Sequence, residues 1–145
     1  MTVLFNDDAN RLSVTARDGK LLLVAEARNS ATRPGQFFRH GPCPRGTFRL
    51  GKPVRTVLKA FGPWFIPVTD LPGVTGPMAR FKRAGIGIHG GGSGLRNPLA
   101  LLQGWVNTHG CIRVQNAVCH QIAALVQTAQ SNGEPVHLQV RGKAS

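Results

Sequence analysis

The first third of the chain carries three short segments with strand-like patterns of apolar residues. Residues 2–5 indicate a short strand, residues 12–16 alternate between apolar and polar positions, and residues 21–27 form a strongly apolar run. A period of two is typical of a strand with one buried face. Asp18-Gly19 lies between the second and third segments and is a signal for a two-residue type I′ turn. The pattern predicts a three-stranded antiparallel meander.

The middle of the chain carries shorter apolar runs separated by loops. We expect strands at 54–60 and 64–68, and a strand of small residues at 84–89 that ends on His89. Residues 29–44 and 71–77 are polar or rich in Gly and Pro, which is typical of loops.

The last third predicts one principal helix and a final strand. Asn116 can cap the helix and Gly133 can end it. The apolar positions at 118, 122, 125 and 126 fall on one helical face, and residues 135–140 form the last strand. With 18 Gly and 10 Pro among 145 residues, we predict a mostly-β single domain over 1–145. Its architecture is expected to be a β-sandwich or open barrel, with the principal helix after Cys111.

The chain is strongly basic. It has 18 Lys and Arg against 6 Asp and Glu, a net charge of +12. This charge serves solubility or fits an anionic polymer, either nucleic acid or the bacterial envelope, and charge alone does not choose between them. The arginines are scattered and the chain has no Tyr, so a base-stacking platform is not supported and no nucleic acid is expected as a partner. We expect no membrane span and no signal peptide, which leaves the export route open.

Candidate chemistry centres on Cys111 in the string Thr108-His-Gly-Cys-Ile-Arg113. A thiol attacks only as thiolate, so it needs a base or a positive charge beside it, and two histidines are available. His109 lies two residues away, His89 lies upstream in a Gly-rich run, and spacing alone does not decide between them. The other cysteines, Cys43 and Cys119, match no zinc pattern, and no metal site is predicted.

These residues resemble the signature of the L,D-transpeptidases, the YkuD-type enzymes that cross-link peptidoglycan. The signature is a His, a variable loop, Ser/Thr-His-Gly-Cys, a hydrophobic residue, Arg and a later Asn, which here is Asn116. The loop of 18 residues from 90 to 107 is slightly longer than the family pattern usually allows. Pro44-Arg-Gly-Thr-Phe48 also resembles a family element, with Cys43 where Thr is usual.

The resemblance assigns roles to individual residues. It implies that Cys111 is the nucleophile and His89 the base, with the imidazole oriented by a carbonyl such as that of Gly90. His109 is the alternative base or a substrate contact. The N–H groups of Gly110 and Cys111 would form an oxyanion hole. The expected substrate-binding residues are Arg113, which would bind a substrate carboxylate, together with Gly90, Thr108 and Trp105. Trp105 lies in an apolar loop that either packs on the sandwich or acts as a lid.

The function implied by the resemblance is acyl transfer on tetrapeptide stems of peptidoglycan, in the periplasm or cell wall, with no cofactor required. A stem amine, a D-amino acid or water would resolve the thioester, giving a cross-link, an exchanged stem or a trimmed stem. One alternative is an exported antibacterial effector toxin of the same chemistry, which would have an immunity protein as a partner. The other is a non-catalytic module that binds envelope or nucleic acid.

Overall fold

The predicted meander is present as three antiparallel strands. They are β1 (Thr2–Asn6), β2 (Arg11–Thr15) and β3 (Leu21–Arg28). The structure is a computed structural model and describes residues 1–29, 42–106, 108 and 110–142. Leu12 and Val14 of β2 are fully buried, as the alternation of the sequence predicts, and Val3 and Phe5 of β1 are fully buried as well.

The turn between β2 and β3 differs from the predicted two-residue type I′ turn. Ala16 N donates to Lys20 O at 2.8 Å, and Gly19 N donates to Ala16 O at 2.9 Å, so three residues form the loop. Type I′ requires positive φ at both central residues, but only Gly19 has one, at +91°. Asp18 instead accepts a hydrogen bond from Lys20 N through its carboxylate, which stabilises the longer loop.

The remaining strands extend the meander into one nine-stranded sheet in the described part of the chain. They are β4 (Gly46–Leu50), β5 (Val54–Arg55), β6 (Trp64–Asp70), β7 (Gly87–His89), β8 (Ile112–Val114) and β9 (His137–Arg141). The order is β4-β9-β1-β2-β3-β8-β7-β6-β5, and an additional pairing of β4 with β6 closes the sheet into a barrel. The prediction of a mostly-β fold with one principal helix is confirmed.

Two predicted strands are shorter than expected. The segment 54–60 is a strand only at Val54–Arg55, because the chain turns where Phe61 N and Gly62 N both donate to Leu58 O. The expected strand at 84–89 is regular only from Gly87. Most of the predicted loop at 29–44 lies outside the described residues. After the loop at 71–77, Asp70 accepts hydrogen bonds from Met78 N and Ala79 N, and so fixes a one-turn helix α1 (Pro77–Arg80).

The principal helix α2 (Asn116–Ser131) packs on the sheet through its buried face, which includes Ile122 and Val126. The predicted cap is wrong: Gln115 is the N-cap residue and Asn116 is already helical. The Asn116 side chain instead bonds backbone groups of the 90–107 loop. Neither helix in the described ranges is long and apolar enough to cross a membrane.

Candidate active site

Parallel pairing of β7 with β8 brings the two halves of the sequence signature together. Ile88 pairs with Ile112, and His89 pairs with Arg113. Since side chains alternate across a sheet, Cys111, just before β8, shares a face with Arg113 and with His89 of the neighbouring strand. Cys111 lies two positions before Arg113, the partner of His89. Residues on neighbouring strands with this offset have Cα atoms roughly 8 Å apart. An imidazole and a thiol can approach each other over that separation.

His89 is a buried, oriented and neutral imidazole. Its Nδ1 lies 2.7 Å from Gly90 O, and because a carbonyl oxygen only accepts, Nδ1 carries the proton and Nε2 is left as the acceptor. The ring packs against both Phe61 and Phe65, at centroid distances of 5.0 and 5.9 Å. Burial lowers the pKa of His89 to about 4; the Gly90 hydrogen bond opposes the shift and the charge of Arg113 adds to it. The imidazole is therefore unprotonated at neutral pH.

Cys111 is a partly exposed thiol in its resting state. Its Sγ lies 3.4 Å from Gly85 O, which accepts the S–H. Burial raises the pKa of the Cys111 thiol, against opposing contributions from a backbone hydrogen bond at Gly87 and from the charges of Arg113 and Arg83. At neutral pH the site thus holds a neutral thiol and a neutral imidazole.

A cavity of about 450 Å³ opens onto these groups. His89, Thr108, Cys111 and Arg113 all line it, so four of the predicted site residues are brought together. Residues 84–86, just before β7, also line it. Phe61 and Val106 contribute from two further loops.

Arg113 ties the loops around the cavity to one another. It is only 4% exposed, and its Nε donates to Gly90 O at 3.3 Å. One terminal nitrogen donates to Val106 O at 2.6 Å and the other to Ala60 O at 3.2 Å. A single guanidinium therefore bonds three backbone carbonyls, at both ends of the 90–107 loop and in the loop after β5. Its role as a carboxylate ligand stays a prediction.

The turn before Cys111 is held locally. Thr108 Oγ1 donates to Cys111 O at 2.6 Å. Gly110 is buried and has a φ of +105°, a conformation that favours glycine because it has no Cβ. His109 lies outside the described residues, so its predicted role is not addressed by the geometry.

Trp105 does not line the cavity among the described residues. It is partly exposed, and the guanidinium of Arg28 on β3 lies 4.6 Å from the centroid of its ring. This contact joins the 90–107 loop to the meander. The role of Trp105 in substrate binding stays a prediction.

The buried side-chain amides of Asn116 and Gln103 hold the 90–107 loop. Neither residue was among the predicted site residues. Asn116 Oδ1 accepts from Gly91 N at 2.8 Å, and its Nδ2 donates to Pro98 O and Ala100 O. Gln103 Oε1 accepts from Asn116 N, and Gln103 Nε2 donates to Val114 O. Gln103 is a lone polar side chain in an apolar run, which is the only sequence signal for its burial.

The other two cysteines are remote from solvent. Cys43 and Cys119 are fully buried, and all three cysteines are free thiols. Burial raises the pKa of Cys43 strongly and that of Cys119 to about 12, so neither ionises at neutral pH. Among the described residues, no group of three His, Cys, Asp or Glu side chains could hold a metal ion.

The sequence matches the L,D-transpeptidase catalytic domain family, YkuD, over residues 1–138. The chain belongs to this family. The predicted resemblance is therefore confirmed across nearly the whole sequence. A comparison with curated proteins gives no match.

Solved structures share the fold of this L,D-transpeptidase domain. The helical cell shape determining protein Pgp2 from Campylobacter jejuni aligns with a TM-score of 0.71 at 20% identity, covering 99% of this chain and 48% of its own. Bd1075 from Bdellovibrio bacteriovorus aligns at 0.63 and 15% identity, covering 95% and 46%. An L,D-transpeptidase from Stackebrandtia nassauensis aligns at 0.58 and 14% identity, covering 99% and 57%. The chain thus spans about half the length of these proteins.

Proposed function

We propose that the chain is a cysteine acyltransferase that acts on the tetrapeptide stems of peptidoglycan, in the periplasm or cell wall. The observation that carries this proposal is the shared cavity of Cys111 and His89, with Nδ1 of His89 bonded to Gly90 O. Membership of the L,D-transpeptidase family supports the choice of substrate.

The proposed reaction has two steps. Cys111 Sγ attacks the carbonyl that joins the diamino acid to the terminal D-Ala, while His89 Nε2 takes the thiol proton. Proton transfer accompanies the attack, because the Cys111 thiol and the His89 imidazole are both neutral before the reaction. D-Ala leaves as the amine with that proton, and a thioester remains. A stem amine, a free D-amino acid or water then attacks the thioester and releases Cys111.

Charge in the cavity also fits an anionic stem peptide. Arg113 lines the cavity, and buried Arg83 interacts electrostatically with the Cys111 thiolate. The sequence has no Asp or Glu from 71 to 133, so the segments that carry His89 and Cys111 bring no carboxylate to the site. A substrate carboxylate would therefore meet positive potential on entering.

The test is to incubate the protein with tetrapeptide muropeptides, with and without a D-amino acid, and to weigh the products. Loss of D-Ala, or its replacement by the added amino acid, is expected with the wild-type chain. Cys111→Ala should reduce turnover to background, whereas the matched variants Cys119→Ala and Cys43→Ala should keep most of it, since both thiols are buried. Full turnover by Cys111→Ala would contradict the proposal.

A further inference from the structure

Exposed aliphatic side chains concentrate in two segments of the chain. Of the ten large apolar side chains that are exposed in the described ranges, six lie in residues 54–58 and 99–102. Val57 and Leu102 are 78% and 76% exposed. We call this set the apolar rim, and it consists of Val54, Val57, Leu58, Leu99, Leu101 and Leu102.

The two segments of the apolar rim belong to loops that are bonded to each other. Gly92 N donates to Lys59 O at 2.6 Å, which joins the loop after β5 to the 90–107 loop. Arg113 bonds carbonyls of both loops, at Ala60 and Val106. Residues of both loops also line the cavity. The apolar rim therefore lies on the two loops that contribute residues to the cavity lining.

Cations are interspersed with the apolar rim, and its two segments contain no carboxylate. Lys52, Arg55, Lys59 and Arg96 are exposed within or beside the two segments. All six acidic residues lie elsewhere in the sequence, at positions 7, 8, 18, 26, 70 and 134. An aqueous anionic polymer would account for the cations but not for the leucines. A second copy of this chain would bring like charges together.

We propose that the apolar rim docks on the surface of an anionic phospholipid bilayer. The aliphatic side chains would enter the interface between head groups and acyl chains, and the cations would contact lipid phosphates. A bilayer offers both an apolar layer and negative charge, so it matches both features of the patch. This inference goes beyond the proposed acyl transfer and does not depend on it, because binding needs no turnover.

The experiment is co-sedimentation of the protein with vesicles of pure phosphatidylcholine and of an equimolar mixture with phosphatidylglycerol. We expect binding to the anionic vesicles only, and weaker binding at high salt. The double variant Leu101→Asp/Leu102→Asp removes two side chains of the rim. Its matched control, Leu22→Asp/Val24→Asp, changes the same charge and removes two exposed apolar side chains of β3.

The rim variant should lose about tenfold or more of its partitioning relative to the control variant. Lys59→Gln and Arg96→Gln should each weaken partitioning about fivefold. Thermal melting and alkylation of Cys111 report whether each variant is folded. Equal loss in the rim and control variants, equal binding to both vesicle types, or no binding at all would overturn the proposal. So would a protein dimer in sedimentation that only the rim variant abolishes, because the rim would then be an interface between copies.

Discussion

The meander and the active-site end of the barrel are stabilised by different interactions. β1 pairs with β2 along five residues and with β9 along five, over fully buried apolar side chains. At the active-site end, β7 and β8 are three residues each, and the loops beside them are held by the side chains of Gln103, Arg113 and Asn116. The meander therefore depends on many equivalent contacts, whereas the site depends on a few polar groups that each bond several segments.

The largest expected effect at the active-site end is on the rate of the proposed chemistry. His89→Gln should slow alkylation of Cys111 and muropeptide turnover by roughly 10²–10⁴-fold, because the general base is lost. The matched control is His120→Gln, since His120 is exposed and accepts a hydrogen bond from Trp64 outside the cavity. If His109→Ala slows alkylation and His89→Gln does not, the base is His109.

The same histidine links pH to stability. His89 has a pKa of about 4 when folded and an ordinary value near 6.5 when unfolded. Between these values the unfolded chain binds a proton that the folded chain does not, so stability falls as pH falls through this window. The loss approaches roughly 3 kcal/mol below pH 4. His89→Gln should remove this dependence, measured by urea unfolding at several pH values, and an unchanged pH dependence in the variant would contradict the assignment.

The next prediction compares the loss of unfolding free energy at a core residue of the meander with the loss at a polar residue of the site. Leu12→Ala should cost about 2–5 kcal/mol of unfolding free energy, because it leaves a cavity in the core. Asn116→Ala should cost roughly 1–3 kcal/mol through unpaired buried groups. The two variants should differ in activity. Turnover per folded molecule should stay unchanged in Leu12→Ala and should fall in Asn116→Ala. Equal retention of turnover would mean that the amide contacts do not position the site.

This contrast also explains which parts of the structure could be predicted. The meander was predictable because alternation is a local property, visible in residues such as Leu12 and Val14. The family signature placed Cys111 and His89 on one site because its residue types and spacing are specific. The contacts of Asn116 and Gln103 could not be predicted, since their partners are backbone groups of distant segments. The segment 54–60 has a strand-like composition, but its apolar side chains Val57 and Leu58 are exposed on a turn.

A smaller effect is expected for Arg113. Arg113→Ala should lower kcat/KM about 10- to 150-fold, which corresponds to roughly 1.5–3 kcal/mol for hydrogen bonds of a charged group. Since the guanidinium bonds three backbone carbonyls and also lines the cavity, most of the loss should appear on both a tetrapeptide and an amidated analogue, with a smaller further loss on the tetrapeptide alone. Arg113→Lys should restore little, because lysine lacks the planar fork. A loss confined to the acidic substrate would instead support the prediction that Arg113 binds a carboxylate.

The smallest expected effect concerns the contact between the two regions. Arg28 of β3 lies over the ring of Trp105, and an exposed cation–π contact is worth about 0.5–1 kcal/mol. A double-mutant cycle with Arg28→Ala and Trp105→Ala should show a coupling of that size in unfolding free energy. A coupling near zero would mean that the two regions are joined by other contacts.

Turnover assays on the same variants address the predicted role of Trp105 in binding. If Trp105 only joins the 90–107 loop to the meander, Arg28→Ala and Trp105→Ala should change KM by the same small factor, since each removes the same contact. If Trp105 also contacts the stem peptide, Trp105→Ala should raise KM further than Arg28→Ala does. Arg28→Ala removes the cation–π contact but keeps the indole side chain, whereas Trp105→Ala removes both. The comparison therefore separates a role in holding the loop from a role in contacting the stem peptide.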